Sequence, residues 1–163
     1  MASLYAIPAP PPARLTTMPR PRGGGWLDEE MAKLRAAGVD VLVCLLTEGE
    51  RAELSLLDEP HAAARAGLDF HEFPIIDFGT PDHAEVRPLL DELAAQMASG
   101  RHVAVHCHAG VGRSSLVAAA LLVRLGAPTS GVWDTISEAR GLDVPQTEAH
   151  RRWLYEHQLL RVA

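Results

Sequence analysis

The sequence has little cysteine, no excess of basic residues and no long apolar run, and each of these shortages excludes a class of protein. Two cysteines among 163 residues are too few for a disulfide framework, so we expect a reducing, cytoplasmic setting. The formal net charge of −6 provides no basic excess for binding nucleic acid or an anionic membrane. No apolar run approaches the roughly 20 residues of a membrane helix, and residues 1–5 lack the pattern of a secretion signal. A soluble globular protein is expected.

The order of apolar segments predicts an α/β fold in a single domain, residues 1–163. Residues 1–25 are a Pro/Gly-rich extended segment, in which Arg14–Met18 is the strand-like part and is expected to lie along a sheet edge. The apolar run Val39–Leu46 is typical of a strand covered on both faces. Strands alternating with helices imply a mainly parallel central sheet flanked by helices. Helices are predicted at 26–37, 48–66 with an interruption at Pro60, from an N-cap at Thr80 to 99, 115–125, 129–139 and after 145.

The most specific feature is the stretch HCHAGVGRS at residues 106–114, in which five residues separate a cysteine from an arginine. A loop of this spacing closes around a tetrahedral oxyanion, with backbone N–H groups inside and two parallel arginine donors covering it. The loop runs from a predicted strand, 101–105, into a predicted helix whose N-terminus favours an anion. Gly110 and Gly112 lie where the ring needs backbone conformations that a Cβ would penalise. The predicted phosphate-binding residues are His108, Ala109, Gly110, Val111, Gly112 and Arg113.

Cys107 is the predicted nucleophile. Loop amides, a helix N-terminus and an arginine each favour the thiolate form of a cysteine. The thiolate can attack phosphorus and form a phosphocysteine, while Arg113 holds the equatorial oxygens in the transition state. Ser114 is placed to donate a hydrogen bond to the departing thiolate. His106 is expected to order the loop through hydrogen bonds rather than to transfer protons.

Two aspartates are candidates for the general acid that protonates the leaving alcohol. Asp77 is predicted to end a strand and to face the same end of the sheet as Cys107. Asp82 falls in the first turn of a helix, where the helix dipole already explains an acidic residue. We therefore favour Asp77 and keep Asp82 as the alternative.

Residues 106–114 resemble the signature of the cysteine-dependent protein tyrosine phosphatases. The overall layout resembles the small atypical dual-specificity phosphatases, including the cyclin-kinase-associated type, from about Arg14 to the C-terminus. In that family an aspartate about as far before the cysteine as Asp77 is the general acid. A family glutamine that positions the hydrolytic water matches Gln146, which precedes Thr147. The resemblance implies a phosphatase that hydrolyses phosphotyrosine, with phosphoserine and phosphothreonine as further substrates.

The predicted substrate is a phosphorylated protein. Phosphoinositide-preferring members of the family carry lysines in the loop, at positions where this chain has His108, Ala109 and Val111. Two alternatives stay open: a phosphatase of a small molecule such as an inositol phosphate or a nucleotide, and a non-catalytic phosphate-binding module. The sequence leaves the oligomeric state open.

No cofactor or metal is predicted. His102, His106, Cys107 and His108 could be considered as zinc ligands, but three of them are consecutive and point in divergent directions. Cys44 is interpreted as a core thiol, with a role as resolving partner of oxidised Cys107 as the alternative. Residues 48–50 are expected to form solvated surface. Packing roles in the core or between helices are expected for Trp26, Trp133 and Trp153.

Overall fold

The computed structural model describes residues 3–162, and the predicted fold class is confirmed. In this range five strands form one sheet in the order β1-β2-β5-β3-β4. The strands are β1 (Tyr5–Ile7), β2 (Arg14–Met18), β3 (Val41–Cys44), β4 (Asp69–Glu72) and β5 (His102–His106). Neighbouring strands from β2 to β4 are parallel, and β1 pairs antiparallel with β2 at the edge. Residues 1, 2 and 163, at the ends of the predicted domain and of the segment tested for a secretion signal, lie outside the described residues.

Helices cover both faces of the sheet. They are α1 (Leu27–Ala36), α2 (Glu48–Glu53), α3 (Glu59–Arg65), α4 (His83–Ala98), α5 (Arg113–Arg124), α6 (Thr129–Arg140) and α7 (Glu148–Val162). Successive residues of β3 point to opposite faces, so Val41 and Val43 join the core formed with α4 to α7, while Leu42 and Cys44 join the core formed with α1 and α3. Among the described residues, no helix combines the length and apolar character that crossing a membrane requires.

The N-terminal segment departs from its predicted placement. Arg14–Met18 is a strand, but it lies one position inside the sheet, because Tyr5–Ile7 pairs with it and occupies the edge. β1 could not be recognised in the sequence, since three residues just before a run of prolines are too few to show a period of two. The pairing turns the Pro-rich segment back along the sheet, where it packs beside α6.

Three predicted element boundaries are wrong for identifiable reasons. Asp82, not Thr80, caps α4: its carboxylate accepts a hydrogen bond of 2.9 Å from the Glu85 N–H, and the helix begins one residue later. Pro60 lies in the first turn of α3, where a missing N–H costs nothing, and the break falls at residues 54–58. β4 ends at Glu72, so Asp77 lies on the loop after the strand rather than at its end.

Two of the three tryptophans pack as predicted. Trp133 and Trp153 are buried between helices and sheet. Trp26 is 51% exposed, and the Arg22 guanidinium lies over its ring at 4.1 Å, a cation–π contact at the surface. The prediction of a packing role for Trp26 is therefore wrong.

Candidate active site

A cavity of about 230 Å³ opens at the carboxyl ends of the parallel strands, between the 107–112 loop and the loop after β4. Parallel strands deliver their following loops to this edge, where ligands of such sheets commonly bind. The predicted residues that line it are Asp77, Cys107, His108, Ala109, Val111, Gly112, Arg113 and Gln146. Gly110 is a buried member of the loop and does not line the cavity.

The loop carbonyls are held outside the ring. Three of them accept hydrogen bonds from surrounding donors: Cys107 O from His106 Nδ1 (3.1 Å), His108 O from the Arg20 N–H (3.0 Å) and Gly110 O from Arg140 Nε (2.9 Å). In a trans peptide the carbonyl and the next N–H point in opposite directions, so these bonds turn the following N–H groups toward the centre of the loop. The result is a concave set of amides suited to an anion.

The two loop glycines are needed for different reasons. Gly110 has a φ of +73°, and a Cβ there would lie 2.5 Å from the Met18 carbonyl carbon and the Pro19 nitrogen. Gly112 has a φ of −83°, which other residues also adopt. A Cβ at Gly112 would instead collide with the Gln146 amide oxygen, which places Gln146 directly against the loop. The predicted conformational requirement therefore holds at Gly110 and not at Gly112.

Cys107 lies at the base of the cavity and is 3% exposed. Its Sγ is 3.4 Å from Oγ of Ser114, which is fully buried in the first turn of α5. The unpaired amides at the N-terminus of α5 face the same region as the sulfur. The sulfur therefore lies beside a buried hydroxyl group and near the N-terminus of a helix.

Arg113 is fixed by a partner that sequence reasoning missed. Its Nη1 and Nη2 donate to the two carboxylate oxygens of Glu50 at 2.7 and 2.9 Å, and Nη1 also donates to the Ile75 carbonyl at 2.8 Å. The hydrogen bonds from Arg113, supported by those from Thr47, lower the pKa of Glu50 from 4.5 to about 2 despite partial burial. Glu50 is therefore ionised except in strong acid, and its carboxylate holds the Arg113 guanidinium in place. The interpretation of Glu50 as solvated surface is wrong.

A sequence signal for the position of Glu50 does exist. Thr47 and Glu50 form a capping box at the start of α2, in which the threonine side chain and the glutamate side chain each bond the other's backbone N–H. This Thr-x-x-Glu pattern follows directly after β3, so it places Glu50 at the edge of the sheet where Cys107 also lies.

Glu50→Gln is expected to destabilise the protein near neutral pH by about 1–3 kcal/mol, because it removes a charged hydrogen-bond acceptor. The pKa of Glu50 is lower in the folded state, so its contribution is fully present above pH 4.5 and is lost as the pH falls toward 2. Urea unfolding of both proteins at neutral pH and near pH 3 measures this. Glu48→Gln, at an exposed neighbouring site, is the control. A difference that stays constant with pH would contradict the assignment.

The two candidate acids have different surroundings. Asp77 is 61% exposed at the cavity rim, and its Oδ1 lies 3.4 Å from Arg113 Nη2. The Asp77 loop is attached to α7 by hydrogen bonds from His150 Nε2 to the Gly79 carbonyl (3.0 Å) and from Trp153 Nε1 to the Pro81 carbonyl (2.7 Å). Asp82 caps α4 and does not line this cavity. The geometry therefore favours Asp77 over Asp82.

Phe78 is a further cavity residue that the sequence did not single out. Its φ is +62°, a left-handed conformation that is uncommon for a bulky side chain. The turn is closed by a 2.7 Å hydrogen bond from the Gly79 N–H to the Ile76 carbonyl. Phe78 is 60% exposed and lines the cavity beside Asp77, so an aromatic ring stands at its rim.

The residues considered as zinc ligands are separated in the structure, and His106 lies with two residues that were not considered, Cys44 and Glu59. His102 lies at the opposite end of β5 and shares a 2.7 Å hydrogen bond with Thr16. Cys44, Glu59 and His106 place ligand-type atoms within 4.8 Å of one another in the core. However, His106 Nε2 and Glu59 Oε1 are 2.6 Å apart, whereas two ligands of a tetrahedral zinc with bonds of about 2.0–2.1 Å lie roughly 3.3 Å apart. This is the geometry of a hydrogen bond.

A strand, a Cys-x₅-Arg loop with inward amides and a helix N-terminus, together with this sheet order, define the protein tyrosine phosphatase class. The structure matches a kinase-associated phosphatase whose catalytic-site cysteine is replaced by serine, with a TM-score of 0.86 and 22% identity over 99% of this chain and 97% of that chain. It also matches PTPMT1, with a TM-score of 0.75 and 19% identity over 98% and 99% of the two chains. At these identities the matches show that the chain shares the fold of this class.

Residues 25–136 match the family model of cyclin-dependent kinase inhibitor 3 (CDKN3), and the chain belongs to that family. Cyclin-dependent kinase inhibitor 3 of Homo sapiens is 29% identical over 133 residues, and that of Sus scrofa is 31% identical over 136. Each match covers 80% of this chain and 62% of the relative, so the chain spans less than two thirds of the length of these curated relatives. The resemblance seen in the sequence is confirmed at the level of the family.

Proposed function

We propose that this protein is a cysteine-dependent phosphatase that hydrolyses phosphorylated proteins, phosphotyrosine above all, through a phosphocysteine intermediate. The observation that carries the proposal is the convergence of the Cys107 sulfur, the Arg113 guanidinium and the Asp77 carboxylate on one cavity bounded by an amide-lined loop. Each group matches one requirement of the reaction: a nucleophile, a binder of phosphoryl oxygens and an acid for the leaving group.

In the first step the Cys107 thiolate attacks phosphorus and the bond from phosphorus to the ester oxygen breaks. Asp77 gives its proton to that oxygen, so the alcohol leaves uncharged. In the second step Asp77 accepts a proton from water, whose oxygen attacks phosphorus, and the phosphorus–sulfur bond breaks. Ser114 donates a hydrogen bond to the departing sulfur, which lies 3.4 Å from its oxygen. Gln146, in contact with the loop, positions the water.

Arg113 acts in both steps by holding two equatorial phosphoryl oxygens. Its bidentate contact with Glu50 fixes the plane of the guanidinium before substrate binds. A fixed donor stabilises the transition state without reorganising during the reaction, which is the usual source of electrostatic catalysis.

The cavity rim supports phosphotyrosine as the preferred group. Phe78 offers an aromatic face at the rim, where the ring of a phosphotyrosine would pass. The loop carries no lysine that would meet additional phosphates on an inositol ring. Similar folds bind both kinds of ligand, since P. aeruginosa TpbA has been solved with phosphotyrosine and PTPMT1 with PI(5)P. The family is named for the inhibition of a kinase, and one similar structure is a kinase-associated phosphatase. Because kinases are proteins, both names support a phosphorylated protein as the substrate.

Phe78→Ala is expected to lower kcat/KM for a phosphotyrosine peptide by about tenfold, the upper range for losing one aromatic pair. For the matching phosphothreonine peptide we expect less than about a twofold change, because that substrate has no ring to stack. Ile76→Ala is the control, since Ile76 is exposed and does not line this cavity. Equal losses on both peptides would show that Phe78 acts on the loop and not on the substrate ring.

A substrate panel tests the proposed function as a whole. Phosphotyrosine, phosphoserine and phosphothreonine peptides are compared with inositol polyphosphates and nucleotides by kcat/KM. The assays contain excess chelator, because the amide loop and Arg113 supply the positive field that a metal otherwise provides. Highest kcat/KM on phosphotyrosine peptides supports the proposal, and highest values on inositol phosphates or nucleotides would replace it by the small-molecule alternative. Phosphate binding without turnover of any ester would indicate a non-catalytic module.

A further inference from the structure

A buried ion pair lies beneath the loop, on the side of the sheet covered by α1 and α3. Glu59, in the first turn of α3, and His106, the last residue of β5, are both completely buried. His106 Nε2 lies 2.6 Å from Glu59 Oε1, and Glu59 Oε2 has no hydrogen-bond partner within the described residues 3–162. A buried carboxylate is unfavourable unless a nearby cation compensates it, so Glu59 favours a charged His106 directly below the nucleophile.

Both ring nitrogens of His106 face acceptors. Nδ1 lies 3.1 Å from the Cys107 carbonyl oxygen, which can only accept, and Nε2 faces the Glu59 carboxylate. An imidazolium satisfies both contacts by donating at each nitrogen. Burial opposes that charge, but the Glu59 carboxylate and the Cys44 side chain outweigh it and raise the pKa of His106 well above its ordinary value. In the part of the chain that the structure describes, the titratable groups against the ring are Glu59 and Cys44, which is paired with His106 across the sheet.

The pair acts on Cys107 in two ways. The bond from Nδ1 holds the Cys107 carbonyl away from the loop, which turns the His108 N–H toward its centre. The positive end of the pair also lies nearer Cys107 than the negative end, because Glu59 bonds the far nitrogen of the ring. A dipole with this orientation favours negative charge on the sulfur, and its effect is larger in the interior than in water.

We propose that Glu59 is a positioning residue for the nucleophile: through His106 it fixes the Cys107–His108 peptide and favours the Cys107 thiolate. The proposal rests on the proposed function for the reaction that the thiolate serves. It adds a residue from a separate helix, outside the 106–114 stretch, to the groups that prepare the site.

Glu59→Gln removes the charge while nearly preserving the side-chain volume. We expect the pH midpoint of iodoacetamide alkylation at Cys107 to rise by about one unit, which makes alkylation about tenfold slower at pH values below the wild-type midpoint. Mass spectrometry of the Cys107 peptide separates this reaction from any at Cys44. Asp58→Asn is the matched control, because Asp58 precedes Glu59, is exposed and pairs with Arg65 instead. A lower melting temperature of Glu59→Gln with an unchanged alkylation midpoint would overturn the proposal and leave a purely structural ion pair.

A second measurement does not depend on how the variant folds. The ¹⁵N spectrum of His106 in the wild-type protein near neutral pH is expected to show protons on both ring nitrogens. A ring with one proton, on a neutral histidine, would overturn the proposal.

Turnover distinguishes this inference from the proposed function. If both hold, kcat/KM of Glu59→Gln falls about tenfold at pH values below the wild-type alkylation midpoint and recovers as the pH rises above the new midpoint. A Glu59-dependent alkylation midpoint in a protein that turns over no phosphate ester would contradict the proposed function while supporting the role of Glu59.

Discussion

Cys107→Ser is expected to abolish turnover, with a loss on the order of 10⁴-fold or more, as when the nucleophile of a cooperating catalytic set is removed. A serine hydroxyl at this position has neither the acidity nor the nucleophilicity of the thiolate. Phosphate binding should persist, because the inward amides and Arg113 remain in place. The measurements are kcat with p-nitrophenyl phosphate and the Kd of inorganic phosphate by calorimetry.

A matched substitution tests the arginine in the same assay. Arg113→Lys keeps the charge but loses the planar fork that contacts Glu50 at 2.7 and 2.9 Å, so we expect severe impairment. Arg124→Lys, at the other end of α5, is the control for the same exchange on the same helix. Rates near those of wild type in Cys107→Ser or Arg113→Lys would exclude the covalent mechanism.

Asp77→Asn is expected to slow hydrolysis of alkyl phosphates by about 10²–10⁴-fold, the usual contribution of a general acid. Activated aryl esters should be affected far less, because their leaving groups hardly need a proton. The ratio of kcat/KM on an alkyl phosphate to that on p-nitrophenyl phosphate measures the effect without depending on the amount of active enzyme.

Asp82→Asn is the control for this prediction. Its carboxylate caps α4 and does not line the cavity, so stability is expected to change by less than about 1 kcal/mol and the ratio to stay constant. The reverse ranking would transfer the acid role to Asp82. Equal, mild effects would mean that neither carboxylate reaches the leaving group.

The parts of the site that could be predicted are those encoded locally. Residues 106–114 are contiguous, and their spacing alone specifies a loop between a strand and a helix. Asp77 could be favoured from its predicted place at the end of a strand, and the family resemblance supported it, whereas Gln146 could be named only through that resemblance. A mainly parallel sheet could be predicted, but the order of its strands could not. The edge strand β1 is only three residues long and shows no periodicity.

The residues that escaped prediction act through contacts between distant segments. Glu50 and Glu59 belong to short polar helices, where an acidic residue ordinarily faces solvent. Only the folded chain brings Glu50 to Arg113, 63 positions away, and Glu59 to His106, 47 positions away. Phe78 escaped because its role depends on a left-handed backbone that a bulky residue seldom adopts.

The most direct test of the central claim is to trap the phosphorylated enzyme. Asp77→Asn is mixed with p-nitrophenyl phosphate and quenched in acid, since loss of the general base slows hydrolysis of the intermediate more than its formation from an activated ester. Peptide mass spectrometry should find one added phosphoryl group on the sulfur of Cys107. Turnover in this variant with no phosphorylated Cys107 in the quenched protein, or with the phosphoryl group on another residue, would contradict catalysis through a phosphocysteine.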